Sequence, residues 1–256
     1  EDSTKSTTGL WVIETLNLPI GFSKDPKLIT EGDLAGASWI WSPDGREILL
    51  STKTGKFLLD AGVQTPQSKW INIESKADKL LRDWADKRKA RLAVLTKNLP
   101  DSLNDILTRK VGNIVFSPDE TKILYTASAS ATIAENLIPP LPGSSTQKQE
   151  RNIKESRTYV YDIKEDRNFL ITDQEVQVNS SQSTALRWLP TSRHLVLSEP
   201  DKITIMDYDG TNRQVVYSGS YVAPYAFPFV NSSKLVILTN LGADSAPPNL
   251  YSLTLK

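Results

Sequence analysis

Trp41-Ser42-Pro43-Asp44-Gly45-Arg46-Glu47-Ile48-Leu49-Leu50 reads as a β-hairpin. Trp41 ends an apolar strand. Ser42 to Gly45 carries type I turn chemistry, with Pro43 pre-setting φ at the second position and Gly45 closing the fourth. Ile48-Leu49-Leu50 opens the return strand. That strand is apolar at consecutive positions instead of alternating, the pattern of a strand covered on both faces.

The frame returns as Phe116-Ser117-Pro118-Asp119-Glu120 before Ile123-Leu124-Tyr125 and as Trp188-Leu189-Pro190-Thr191-Ser192 before Leu195-Val196-Leu197. A fourth copy reads as Phe229-Val230-Asn231-Ser232-Ser233 before Val236-Ile237-Leu238. In this alignment the aromatic precedes its apolar triplet by seven residues each time, and successive aromatics lie 75, 72 and 41 residues apart. Only the last spacing matches the ~40 to 45 residues of a bare propeller blade, so the first two repeats carry inserts of about thirty residues. Trp41, Phe116, Trp188 and Phe229 are expected to pack between sheets, not to stack on a ligand.

Strands at residues 10–14 and 27–30 have counterparts at 159–162 with 169–172 and at 203–207 with 214–217. In the first full repeat a third strand at 56–60 and a fourth near 69–73 follow the hairpin. Four strands per repeat is the make-up of a propeller blade. The expected fold is therefore all-β, a β-propeller of about four recognisable blades plus an N-terminal half-blade, the last blade without an evident outer strand. Residues 1–256 read as one propeller domain or a propeller fragment. A fragment is favoured because the opening strands supply both a third and a fourth strand, whereas the last blade already has its own third.

Two inserts interrupt the repeat. Over residues 75–108 the period becomes helical, with Leu80, Leu81, Trp84, Leu92 and Leu95 near one face and Ser75 and Asp78 placed as a capping box. A second helix is expected after Pro100, capped by Asp101 or Ser102. Residues 128–156 read as a long loop projecting into solvent, with a polyproline-type segment from Pro139 to Pro142.

Thirty basic and thirty acidic residues leave no net charge, which argues against nucleic acid or an anionic membrane surface as partner. No apolar run approaches the ~18 residues of a membrane span. The polar opening is no signal peptide, so an export signal is expected upstream. The absence of cysteine excludes disulfides and thiolate chemistry and suits an oxidising compartment. Glycosylation triplets begin at Asn179 and Asn231.

The Trp/Phe-Ser-Pro-Asp-Gly hairpins, with their Ile-Leu return strands and a later strand ending in Asp, resemble the TolB-like propeller repeat shared with the N-terminal propellers of dipeptidyl peptidase IV and prolyl oligopeptidase relatives. The resemblance covers nearly the whole chain outside the inserts. It implies a fold and leaves function open, since such propellers serve as periplasmic binding modules, peptidase gates and surface proteins. Thr191-Ser192 replaces Asp-Gly in the third copy.

Catalytic chemistry finds no support in the residues. The lone His194 starts a return strand where Glu47 and Lys122 stand in other copies, and no Gly-x-Ser-x-Gly elbow is present. Asp207-Tyr208-Asp209-Gly210 lacks the further ligands of a calcium loop and fits a tight turn. No metal or cofactor is expected. Lys87-Arg88-Lys89 and Arg91 form a basic cluster beside Asp83 and Asp86. The expected function is a non-enzymatic binding or scaffolding module of a bacterial envelope or exported protein, placed in the periplasm or at the cell surface. A protein partner is expected on the helical hairpin around Trp84 and Arg88 or across the propeller's open face, with Pro139 and Pro142 as further candidate contacts. A substrate-gating propeller of a serine peptidase and a glycan-binding surface protein are the alternatives.

Overall fold

Face assignment along the second strand of each repeat organises the structure. The computed structural model describes residues 9–13, 26–32, 34–139, 146–173, 177–178, 184–243 and 247–255. They fall into two compact units, residues 1–97 and 98–256.

In the first unit β1 (Gly9–Val12) pairs antiparallel with β2 (Lys27–Glu31). A meander follows from β3 (Ser38–Trp41) through β4 (Glu47–Thr52) to β5 (Gly55–Asp60). The expected fourth strand is only a bridge between Phe57 and Asn72, preceded by a 3-10 turn at Gln67–Lys69. Trp70 explains the turn: its Nε1 donates to Thr30 Oγ1 at 2.8 Å, and Thr30 Oγ1 donates to the Thr65 carbonyl at 2.6 Å. These bonds pull the chain inward before a regular strand forms. Helix α1 (Glu74–Thr96) then begins without the expected Ser75/Asp78 box. Asn72 Oδ1 instead accepts the Glu74 N–H at 2.8 Å, because the bridge to Phe57 already fixes Asn72 at the entry.

The second unit opens with α2 (Asp101–Arg109), whose N-cap is Pro100 and not Asp101 or Ser102. A four-stranded antiparallel sheet follows, in the order β6 (Val111–Phe116), β7 (Lys122–Ala127), β10 (Thr158–Asp162), β11 (Arg167–Thr172). Next come β13 (Ala185–Trp188), β14 (His194–Glu199), β15 (Lys202–Asp207) and β16 (Gln214–Ser218). The short β12 (Gln177–Val178) adds to β13 in parallel, which the repeat does not foreshadow. Among the described residues the last sheet has three strands, β17 (Ala226–Pro228), β18 (Lys234–Thr239) and β19 (Asn249–Thr254).

The loop insert departs from expectation. Its ends form the two-residue strands β8 (Ala131–Thr132) and β9 (Asn152–Ile153), and Ile133 and Ile153 are buried against Tyr125, Tyr159 and α2 Leu103. Arg151 and Asp166 hold it down: the guanidinium lies 3.1 Å from the carboxylate, Tyr161 OH donates to Asp166 Oδ1 at 2.5 Å, and the Leu137 N–H reaches Oδ2 at 2.8 Å. Burial drives the Tyr161 phenol well above its ordinary pKa, so it stays a donor.

One rule of packing recurs. In the apolar triplets of β4, β14 and β18 the outer two residues face the preceding hairpin or sheet, and in β7 and β14 the middle one faces the following sheet, as the period of two demands. Ile48 and Leu50 join Leu10 and Ile29 of the preceding hairpin. Leu124 meets Leu195 and Leu197 in one core, whereas Val196 meets Leu235 and Ile237 in the next. Ile123 and Tyr125 face α2 and the loop insert.

The turn between β3 and β4 shows why the frame recurs. Ser42 Oγ donates to Asp44 Oδ1 at 2.7 Å and accepts the Glu47 N–H at 2.9 Å, while Gly45 takes a φ of 71°. Ser117 repeats this, with 2.7 Å to Asp119 Oδ1 and 3.0 Å from the Lys122 N–H. The fourth copy is displaced by one residue from the sequence alignment. Phe229 N–H donates to the Lys234 carbonyl as Ser42 N–H does to Glu47, and Ser232 holds the positive φ. Phe229 thus stands at the serine position and the triplet is Leu235-Val236-Ile237; turn geometry, not the aromatic, sets the register.

Burial alone would raise the Asp119 pKa, but hydrogen bonds from Ser117 and Thr121 outweigh it and bring the carboxyl from 3.8 to about 2. The folded-state value is depressed, so this contribution to stability is present above pH ~4 and is lost as pH falls from ~4 toward ~2. Ser117→Ala is expected to raise the Asp119 pKa and shrink the loss of stability over that interval. Carboxyl NMR titration and acid denaturation check it; an unchanged pKa would contradict the turn account.

Candidate functional site

The motif residues occupy different environments. Pro43, Asp44, Gly45, Pro118 and Asp119 lie at exposed turns, and Pro190 is half-buried. Trp188 is 8% exposed, packs among Leu124, Phe169 and Leu197, and donates from Nε1 to the Val115 carbonyl at 3.3 Å. Beside it Ser192 Oγ accepts the Asp119 N–H at 3.0 Å, tying the hairpin turns of consecutive sheets. Phe116 and Phe229 are half-buried. Trp41 overturns its expected core role, since it is 40% exposed.

Trp41 belongs to a larger surface. All four residues of β3 are exposed, with Trp39 at 52% and Ile40 at 45%. β3 is an edge of its sheet, and no further strand pairs with it among the described residues. An edge strand offers a row of main-chain donors and acceptors, and here both faces are also apolar. This is the strongest candidate site of the first unit. Sequence reading missed it because Ser38-Trp39-Ile40-Trp41 has the composition of an inner strand; nothing local distinguishes a covered one from a bare one.

The expected docking residues separate. Trp84 is 1% exposed, so the indole is a packing group on the buried stripe with Ala77 and cannot be a surface anchor. Arg88 is exposed on the same helix. Pro139 is exposed, and Pro142 lies outside the described residues, as does the triplet at Asn179.

His194 Nδ1 lies 3.2 Å from Thr191 Oγ1, and Nε2 lies 3.3 Å from Asp207 Oδ1. The hydroxyl, imidazole and carboxylate sit at the surface end of the β14–β15 hairpin, where His194 and Asp207 are paired directly across the ladder. Their proximity follows from that register. Asp207 and Asp209 serve the next turn, Asp209 Oδ1 accepting the Thr211 N–H at 3.0 Å and Asp207 Oδ2 accepting Asn212 Nδ2 at 2.6 Å. Among the described residues no group of three or more His, Asp or Glu side chains is placed to hold a metal ion. A polar cleft of about 380 Å³ is lined by Thr184, Leu197, Glu199, Lys202, Thr204 and Arg213. Its cations are engaged: Lys202 pairs with Glu199 at 2.9 Å, and Arg213 donates to the Gly210 and Ile171 carbonyls. No helix among the described residues is long and apolar enough to cross a membrane.

No protein-family model matches the chain. No curated protein matches it either. Among solved structures it is similar to TolB from Acinetobacter baumannii, at 12% identity over 90% of this chain and 44% of that one, with a TM-score of 0.34. Putative TolB from Agrobacterium tumefaciens is similar at 14% identity over 91% of this chain and 70% of that one, TM-score 0.31. Porphyromonas gingivalis dipeptidyl peptidase 4 is similar at 7% identity over 86% and 32%, TM-score 0.32. The chain spans 44% of the first of these. The similar structures thus include TolB and dipeptidyl peptidase 4, the group whose repeat the hairpin sequences resemble.

Trp188→Ala is expected to cost roughly 3 to 5 kcal/mol, the scale for emptying a buried aromatic site. Trp41→Ala, at a side chain 40% exposed, is expected to cost clearly less. Urea unfolding of both variants checks the contrast; equal costs would contradict the two environments.

Proposed function

We propose that the chain is a β-propeller segment acting as a non-enzymatic binding and scaffolding module, with the edge strand β3 as its docking surface for a protein partner. The observation that carries this is the bare apolar edge: Trp39, Ile40 and Trp41 all exposed on a strand with an open side. Contiguous exposed apolar surface of this kind marks interaction sites. The partner that fits is an extended segment adding as a strand, its main chain supplying hydrogen bonds and its alternate side chains meeting the two indoles. Successive antiparallel meanders with one face polarity support the propeller reading, each sheet being a blade. An extracytoplasmic location belongs to the same proposal, and the cysteine-free composition suits it.

A photo-crosslinking amino acid at position 39, compared with one at the exposed Lys53, tests the surface in the source cells. The expected result is a discrete protein adduct at position 39 that excess unlabelled chain competes away and that Ile40→Asp weakens at least tenfold. Identical adducts at both positions, or none at position 39, would contradict the docking assignment.

A further inference from the structure

The position two residues before each hairpin turn holds Ile40, Val115, Arg187 and Phe227 in successive repeats, counted from the structurally equivalent Ser42, Ser117, Leu189 and Phe229. Three are apolar. Arg187 is the exception, and it is 9% exposed. By the alternation along β13, Leu186 and Trp188 face back toward the preceding sheet, so Arg187 faces forward, toward the last sheet. Nη1 donates to the Pro224 carbonyl at 3.1 Å, and the guanidinium carbon lies 4.5 Å from the centre of the Phe227 ring.

Among the described residues this cation lacks a counter-charge. No Asp or Glu among the described residues forms an ion pair with it, although Arg151, Arg157 and Arg109 each have one. Burial drags its pKa below the ordinary arginine value, the nearby Tyr221 and Tyr225 acting the other way. A buried charge without a partner is costly, and a carbonyl with an aromatic face meets only part of what a five-donor fork offers. Next to it the ring of Phe227 stacks with that of Tyr225 at 6.4 Å and 26°. Both rings are exposed. A buried planar cation thus sits beside an exposed two-ring apolar ledge. The cation is the feature that packing alone does not explain, since an apolar side chain fills the same position in the other repeats.

We propose that Arg187, Tyr225 and Phe227 form a receptor for a carboxylate carried beside an apolar group, the chemistry of an acidic side chain next to an aromatic residue on a protein partner. The carboxylate meets the free donors of the guanidinium, which match it two to two. The neighbouring apolar group lies on the Tyr225–Phe227 ledge and excludes water from the ion pair, which strengthens it. This deepens the binding-module reading, on which it rests for the nature of the occupant, but it uses residues separate from β3.

The test is titration of the chain with acetyl-Phe-Glu-amide and acetyl-Phe-Gln-amide, following the Arg187 Nε–H signal by NMR. The glutamyl peptide is expected to bind at least tenfold tighter and to shift that signal saturably, with the effect weakened by added salt. Phe227→Leu and Tyr225→Ala, both at exposed rings, keep the fold and are expected to weaken binding about fivefold. Arg187→Lys retains the charge without the fork and is expected to lose most of the preference for glutamate. Equal binding of the two peptides, or no shift at Arg187, would overturn the proposal. Phenylacetate binding as tightly as the glutamyl peptide would overturn the assignment to a protein partner in favour of a small carboxylate. The titration reads Arg187 alone, so its failure leaves the β3 surface standing, and failed crosslinking at position 39 leaves Arg187 standing.

Discussion

A β-strand presents two faces, and the second strand of each repeat has to satisfy both at once. In β14 the outer residues of the triplet pack on the preceding sheet and the middle one on the following sheet, so this sheet is defined by what precedes and follows it. A slip of one residue would exchange the two sets and leave neither core filled. The turn before the triplet prevents this. Ser42 and Ser117 each close the hairpin through the aspartate two residues on and through the N–H that opens the return strand, fixing the register. Local hydrogen bonds thus decide which side chains meet many residues away.

The same constraint explains where the architecture is interrupted. The backward face of β7 presents Ile123 and Tyr125, and α2 together with the ends of the loop insert covers them. Leu103 and Leu107 supply what a neighbouring sheet supplies elsewhere. The Asp166 clamp keeps the insert in place: a buried carboxylate with an arginine, a phenol and a backbone N–H around it has its acceptors met, and removing one partner would leave a charge exposed to a low dielectric. At β3 no such cover is present among the described residues, and what remains bare there becomes the candidate for binding.

Much of the fold is legible in the sequence because its signals are local. Pro43, Asp44 and Gly45 announce a turn, and Ile48-Leu49-Leu50 announces a strand buried on both sides. The helical insert is legible for the same reason. What fails is whatever a distant contact decides. Phe229 looks like the repeat's aromatic, yet the positive φ at Ser232 sets the register one residue away. The two-residue strands β8 and β9 are too short to show a period. Trp84 is an expected docking residue, yet it is buried on the stripe it shares with Ala77 on α1. Arg187 carried a signal in the aligned repeats, where a cation stands in the column of Ile40 and Val115; turn geometry completes that column with Phe227. The exposure of Trp39 and Trp41 had none, since burial is a property of neighbours and not of the strand.

The most direct measurement is a methyl NOE experiment on protein labelled at Ile, Leu and Val. Cross-peaks are predicted between Leu124 and the Leu195 and Leu197 methyls, and separately between Val196 and the Leu235 and Ile237 methyls. Cross-peaks from Val196 to Leu124 in place of these would reverse the faces of β14 and contradict the stacking on which the rest depends.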